Sequence, residues 1–179
     1  LGMRDVRFYS TEAASRQAEQ KRLAALFTLA EGRSAVTVAS IPGLLQHTIP
    51  PETLRRAAFE IDAGGSYPIE DVEAALLRCG YTRTEQVEGA GQFARRGGIL
   101  DFFSPSEHEP VRIEFWGDDV DSMGHFDVAS QRRTEPLERC VILPAAETLP
   151  EMTAGGRDAL CREIESFAEK YGRRRTSEN

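Results

Sequence analysis

The sequence predicts a mixed α/β (α+β) fold. A helix-bearing first part gives way near residue 80 to an antiparallel, β-rich sheet domain. Three observations carry this expectation. Apolar residues recur at helical spacing over residues 11–32 and again over 68–80. From residue 81 the texture changes to short runs cut by turn residues at Gly89/Gly91, Gly97-Gly98, Ser104-Pro105 and Gly117-Asp118. From Arg157 onward the helical pattern returns, with Leu160, Ile164, Phe167 and Ala168 as its stripe.

Residues 11–32 read as a helix because Leu23, Leu26, Phe27 and Ala30 keep one face, and Gly32 stands where a C-terminal cap belongs. Residues 34–39, Ser-Ala-Val-Thr-Val-Ala, read as a short buried strand. Ser40 and Pro42 start a brief helix carrying Leu44 and Leu45. Pro50-Pro51 restarts the chain into a short helix over 52–56 and a strand over 58–61, and Gly64-Gly65 marks a loop. Pro68 opens a second clear helix with Ile69, Val72, Leu76 and Cys79 on one face and Gly80 as its stop. Strands are expected at 81–87, 92–96, 99–103, 111–116, 119–122 and 141–143. The division that follows is a first segment at 1–79, a sheet domain at 80–147 and a return segment at 148–179.

Composition narrows the function classes. A chain of 179 residues with 40% hydrophobic content can build one or two small domains. A net charge of −7 and a pI near 5.1 argue against a dedicated nucleic-acid-binding domain, which needs a basic surface to meet phosphates. The run Arg173 to Arg175 reads as a solvated helix end, with a DNA-binding domain that uses these arginines as the rival reading. Lys21 and Lys170 are the only lysines and neither follows a glycine, so no GxxxxGK[ST] phosphate loop is present. Cys79, Cys140 and Cys161 fit neither a disulfide framework nor a CxxC metal knuckle, and are expected as reduced thiols. Arg4, Asp5 and Arg7 do not suit a signal peptide, and no stretch approaches the roughly 20 apolar residues that span a bilayer. The expected location is the cytoplasm, with no membrane partner.

The sharpest local signal is Val111-Arg112-Ile113-Glu114-Phe115-Trp116. Strand alternation sends Val111, Ile113 and Phe115 to one face and Arg112, Glu114 and Trp116 to the other. The first set suits a core. The second puts the chain's single tryptophan beside an arginine, the residue types most enriched at interface hot spots. The competing reading has Trp116 covering a core edge and Arg112 pairing with Glu114 or another carboxylate. In Arg95-Arg96-Gly97-Gly98, the glycines suggest a bulge or a close backbone approach that re-aims the arginine beside them. Asp101, in an apolar run, is a strand-face polar residue or a buried partner for one of these arginines.

Catalytic patterns are thin. His47, His108 and His125 are scattered, and none has a ligand-type partner three or four residues further along the chain, so no metal site is expected. The stretch Ser106-Glu107-His108-Glu109 reads as a solvated loop, and Asp118, Asp119 and Asp121 as the corners of a hairpin rather than a calcium loop. There is no GxSxG elbow and no visible Cys/His pair. No catalytic or cofactor residue is assigned.

One family resemblance runs through the same stretch. Its marks are Gly80-Tyr81-Thr82-Arg83, the run from Gly91-Gln92-Phe93 through Arg96-Gly97-Gly98 to Asp101-Phe102-Phe103, the run from Val111 through Trp116-Gly117-Asp118 to Ser122, then Phe126-Asp127 and Ser130-Gln131-Arg132. These resemble the N-terminal module of the bacterial transcription-repair coupling factors, a module shared with the B component of the excinuclease ABC. The resemblance is strong over 80–147 and weaker but collinear over 8–54. Gly98, Ser130-Gln131-Arg132 and the ending Leu143-Pro144-Ala145-Ala146-Glu147 favour the coupling factors, and a fragment of the excinuclease B component is the alternative. The chain departs from the common pattern at Ala90, where proline is usual, and at Trp116, where phenylalanine is usual.

The resemblance implies a partial, degenerate motor-like α/β domain with the β-rich sheet domain inserted in it. It also implies that the sheet domain binds the A component of the excinuclease ABC through Arg96, Arg112 and Trp116, recruiting it to a stalled RNA polymerase. The parent would be an ATP-hydrolysing DNA translocase needing ATP and magnesium. The fragment itself would be non-catalytic and without cofactor, and contacts to polymerase and double-stranded DNA would lie in other parts of the parent.

Overall fold

Two periodicities, one of about 3.6 residues and one of 2, divide this chain into a helix that covers a sheet and the sheet it covers. The computed structural model describes residues 1, 16–33, 36–153 and 155–177. In chain order the elements are α1 (Arg16–Ala30), α2 (Ile41–Leu45), α3 (Pro51–Ala57), β1 (Phe59–Asp62), α4 (Ile69–Arg78), β2 (Thr82–Arg83), β3 (Gln92–Arg96), β4 (Ile99–Phe102), β5 (Val111–Trp116), β6 (Asp119–Phe126), β7 (Arg133–Pro136), β8 (Arg139–Ile142), a 3-10 turn (Pro150–Met152) and α5 (Gly156–Ser177). The fold class is α+β, as the sequence predicts.

The first helices form where expected. Residues 11–15 of the expected first helix lie outside the described residues. The start of α2 is capped by Ser40, whose hydroxyl accepts from the Gly43 N–H at 3.2 Å. The strand expected over 34–39 does not form in its described part. Residues 36–39 are irregular, and Val36 stays 96% exposed. β-branched composition favours a strand only where a neighbouring strand completes the ladder, and none among the described residues pairs with this segment. Residues 34 and 35 lie outside the described residues.

The main sheet has six strands in the order β2-β3-β4-β5-β6-β7. All neighbours are antiparallel except β2 and β3, which pair in parallel through Thr82 and Gln92. The strand expected over 81–87 is confined to Thr82–Arg83, and the chain reaches β3 through a turn that Gln92 holds. The Gln92 Oε1 accepts from the backbone N–H groups of Glu88 at 2.8 Å and Gly89 at 3.1 Å. β6 continues past the expected Ser122 to Phe126. β7, which the sequence does not predict, forms from four exposed residues with no apolar alternation to reveal them. β8 leaves this sheet and pairs with β1 in a separate antiparallel ribbon, Phe59 opposite Ile142 and Asp62 opposite Arg139.

The core moves the boundary expected at residue 80. Ile69, Val72 and Leu76 of α4 pack in one cluster with Phe93, Leu100, Phe102, Val111 and Ile113 from the inner face of the sheet, together with Ile61 of β1 and Ile142 of β8. Residues 59–79 therefore share the core of the sheet, since the stripe of α4 buries itself against that face. Arg95 reinforces this packing by reaching from β3 to Glu70 at 2.8 Å and Glu73 at 3.1 Å. Two of the three cysteines, Cys79 and Cys140, are buried, and burial pushes the Cys140 thiol up to about 12, which suits an inert core residue.

Helix α1 meets the end of this body through polar contacts. Arg22 is buried and its Nε lies 2.7 Å from Glu147 Oε1, while Glu19 accepts from the Glu147 backbone N–H at 2.7 Å. Gln20 donates to the Ala90 carbonyl at 2.8 Å. Residues Leu1–Glu147 form one compact unit and Thr148–Asn179 form another. Within that second unit, Ile164, Phe167 and Tyr171 of α5 are exposed. Among the described residues no helix is long and apolar enough to cross a membrane.

Gly124 shows how closely β6 and β7 approach. A Cβ there would lie 2.5 Å from the Glu135 backbone oxygen. Backbone cannot swing aside like a side chain, so Gly124→Ala is expected to lower stability by about 1–3 kcal/mol. Urea denaturation should show a lower midpoint with an unchanged m value.

Candidate protein interface on the outer face of the sheet

Strand register decides which side chains share the outer face. Ala94, Asp101, Arg112, Gly124 and Pro136 stand opposite one another across β3, β4, β5, β6 and β7. The next row holds Arg96, Ile99, Glu114 and Ser122. Directly opposed residues of antiparallel strands point to the same side. Arg96 therefore lies on the face of Arg112, and Trp116, two residues beyond Glu114 on β5, completes it.

The glycine pair beside Arg96 makes a tight turn and not a bulge. Arg96 pairs directly with Ile99, so Gly97-Gly98 is a two-residue hairpin loop, with Gly97 in the left-handed region at φ 62°. The close backbone approach that the glycines also suggest is present at Gly98. A Cβ there would sit 2.8 Å from the Phe115 carbonyl oxygen, and the Gly98 carbonyl accepts from the Phe115 N–H at 2.8 Å.

Asp101 is the centre of the face. Only 2% of its side chain is exposed, and both carboxylate oxygens are bound by guanidinium groups. Arg112 grips it with two prongs, Nε to Oδ1 at 2.7 Å and Nη2 to Oδ2 at 2.8 Å. Arg96 Nη2 adds a third contact to Oδ2 at 2.8 Å. Arg112 also donates to the Gln131 carbonyl at 3.2 Å and to Gln131 Oε1 at 3.1 Å, and its guanidinium carbon lies 4.4 Å from the centre of the Phe126 ring. The bonds to Asp101, ahead of the opposing cost of burial, hold the Arg112 guanidinium above its usual range. Gln131 is held in place from its own loop, where it adopts φ 58° and donates its side-chain amide to the Val128 carbonyl at 2.8 Å.

These contacts separate the roles of the three residues expected at the interface. Arg112 makes four hydrogen bonds within the protein. Arg96 keeps about half of its side chain in solvent, with Asp101 its partner among the described residues. Trp116 is 83% exposed at the tip of the β5-β6 hairpin, beside the Gly117-Asp118 turn. The reading in which Trp116 covers a core edge is thereby overturned. Arg112 pairs with Asp101 and not with Glu114, which instead accepts from Arg133 at 3.1 Å. One carboxylate against two guanidinium groups leaves the centre of the face cationic.

Sequence reasoning missed Gln131, Phe126 and Arg133. All three come from the segment after β5, and nothing in their spacing announces a shared neighbour. Asp101 did carry a signal, as a carboxylate in the apolar run Ile99-Leu100-Asp101-Phe102.

The geometry yields a stability ranking. Asp101→Asn removes the charge that compensates a largely buried guanidinium. The loss should be about 2–3 kcal/mol, somewhat below a fully buried broken pair because Arg112 keeps some access to water. Arg96→Ala removes a half-exposed partner and should cost less than about 1 kcal/mol. Urea denaturation of the two variants checks the order.

The same stretch of chain is matched by known proteins. A family model described as UvrB interaction domain matches residues 59–147. The chain is 35% identical over 142 residues to the transcription-repair-coupling factor of Myxococcus xanthus, covering 79% of this chain and 12% of that protein. It is 41% identical over 103 residues to that of Mycobacterium tuberculosis, covering 58% of this chain and 8% of the relative. Against the Escherichia coli protein it is 32% identical over 126 residues, covering 70% and 11%. The chain thus spans about a tenth of the length of the curated relatives it matches. The matched span opens at β1, the strand that closes on β8, and ends at Glu147, the carboxylate that Arg22 meets. Through residues 59–147 the chain belongs to the UvrB interaction domain family, and over most of its length it is similar to the transcription-repair-coupling factors.

Proposed function

We propose that this chain is a non-catalytic docking module of a transcription-coupled DNA-repair factor, and that it recruits UvrA, the A component of the excinuclease ABC, through the outer face of its sheet. The observation that carries the reading is the pairing, on one surface, of a solvent-exposed Trp116 with a half-exposed Arg96. A tryptophan left in water offers a large apolar area for a partner to cover, and a guanidinium with donors in solvent suits a partner carboxylate. Arg112 acts as the positioning residue, since its donors are engaged by Asp101 and Gln131. Its role at the interface is to hold Asp101, and through it Arg96, in a fixed geometry.

The wider assignment rests on similarity to the coupling factors. The parent is an ATP-dependent DNA translocase using ATP and magnesium, residues 1–58 and 148–179 are parts of its motor-like first domain, and its contacts to RNA polymerase and double-stranded DNA lie elsewhere in the parent. The cytoplasm is the compartment this role requires. The similarity of the matched relatives favours a coupling factor over a fragment of UvrB, the excinuclease B component.

Because Arg112 supports the fold, the informative variant leaves it in place. The double variant Arg96→Ala/Trp116→Ala alters one exposed and one half-exposed side chain. Titration calorimetry with purified UvrA should show at least tenfold weaker binding by this variant, with its urea midpoint near that of the wild type. Wild-type affinity in the folded variant would overturn the surface. Trp116 also reports directly, being the single tryptophan of the chain. Its fluorescence should be readily quenched by iodide in the free protein and protected in the complex.

A further inference from the structure

The loop between β4 and β5 reads in sequence as solvated, yet it is fastened at several points. The hydroxyls of Ser104 and Ser106 donate to the Val141 carbonyl at 2.9 and 3.0 Å, and Ser104 accepts from the Leu143 N–H at 3.1 Å. Glu109 accepts from the Thr134 hydroxyl at 2.7 Å. Between these anchors, Glu107 and His108 are brought to His125 of β6.

His125 stands at an unusual place for a polar side chain. It lies opposite Val111, at the end of the inner-face row that runs through Phe93 and Phe102, and it is only 3% exposed. Its Nε2 lies 3.0 Å from Glu107 Oε2, and its ring meets that of His108 edge-on at 4.6 Å between centroids. Its Nδ1 is buried without a hydrogen-bond partner among the described residues. A carboxylate only accepts, so in the neutral ring the contact with Glu107 puts the proton on Nε2 and leaves a bare lone pair on Nδ1.

Glu107, His108 and His125 each offer one ligand atom, and the three atoms lie within 4.8 Å of one another. A carboxylate oxygen and two imidazole nitrogens are the donor set of His₂Glu zinc sites. Ligands at about 2.0–2.1 Å around a tetrahedral ion stand roughly 3.3 Å apart, so Glu107 and His125 are near the required separation. Only His108, whose side chain is exposed, has to swing inward. We propose that Glu107, His108 and His125 form a binding site for a divalent transition-metal ion of the zinc class, which staples the β4-β5 loop to β6.

The protons balance within the site. The ion takes Nε2 of His125, the imidazole proton moves to Nδ1, and the Glu107 hydrogen bond is replaced by two coordinate bonds. One ring nitrogen lacks a protein partner before and after, so coordination sacrifices no other contact. Imidazole donors select zinc, nickel, copper or cobalt over magnesium and calcium, which prefer all-oxygen shells. The site lies on the inner-face side of the sheet and is independent of the Arg96 and Trp116 surface.

The test uses the 179-residue chain carrying Cys161→Ser, which removes the exposed thiol as a competing ligand. After removal of metal, zinc titration by calorimetry should give one ion per chain, and magnesium none. Cobalt should give the visible absorption of a four-coordinate ion, displaced by zinc. His108→Ala changes an exposed side chain in a loop held by other contacts, and Glu107→Gln retains size. Each should weaken zinc binding at least tenfold. Zinc should also move the His125 ring nitrogen resonances in the parent chain but not in His108→Ala. Equal zinc binding by parent and His108→Ala, or His125 resonances unmoved at saturating zinc, would overturn the site.

Discussion

A carboxylate with almost no access to water sits in the middle of the outer face, and the surface is organised around its neutralisation. Asp101 would carry a large desolvation cost alone, so it must be met by donors of fixed geometry. Arg112, directly opposite on β5, meets both oxygens with a planar fork, and Arg96 completes the set from β3. Three strands and the Gln131 loop are thereby tied through one charge cluster. A cluster this constrained leaves little freedom to the neighbouring side chains, which is what a recognition surface needs if it is not to lose entropy on binding.

The two faces of the sheet have different tasks. The inner face is apolar and covered by α4, and its burial supplies the cohesion. The outer face is polar, knitted by Asp101 with Arg96 and Arg112 and by Glu114 with Arg133. Trp116 belongs to neither set of contacts. It projects beside a two-residue turn at the end of β5, where the strand has passed the edge of both clusters. A large aromatic so placed adds little to the cohesion of this unit, and its value lies in what another surface can cover.

Closure of the domain depends on contacts between residues far apart in sequence. β1 pairs with β8 across the whole intervening sheet, and Arg22 of α1 meets Glu147 just beyond it. The inner-face row likewise ends on a histidine rather than a hydrocarbon, because the loop after β4 folds back and brings Glu107 to it. In each case the contact forms only because a segment distant in the chain returns to it.

Features that depend on local geometry were legible in the residue order. Alternation in β5 sorted Val111, Ile113 and Phe115 from Arg112, Glu114 and Trp116, and the 3.6-residue stripe of α4 identified its buried side, because strand and helix periods act within a few residues. The breaks at Gly97-Gly98 and Gly117-Asp118 were legible for the same reason. Tertiary structure alone decided the rest. Residues 36–39 have strand composition but no partner strand, whereas β7 has no apolar pattern yet pairs with β6 along the register. Whether Arg96 shares the face of Arg112 depended on the turn beside it being a direct hairpin rather than a bulge, a difference of one residue that inverts parity. That Asp101 binds two arginines, and that Glu107, His108 and His125 meet, follows from register and chain return. Both are long-range facts, and no local period encodes them.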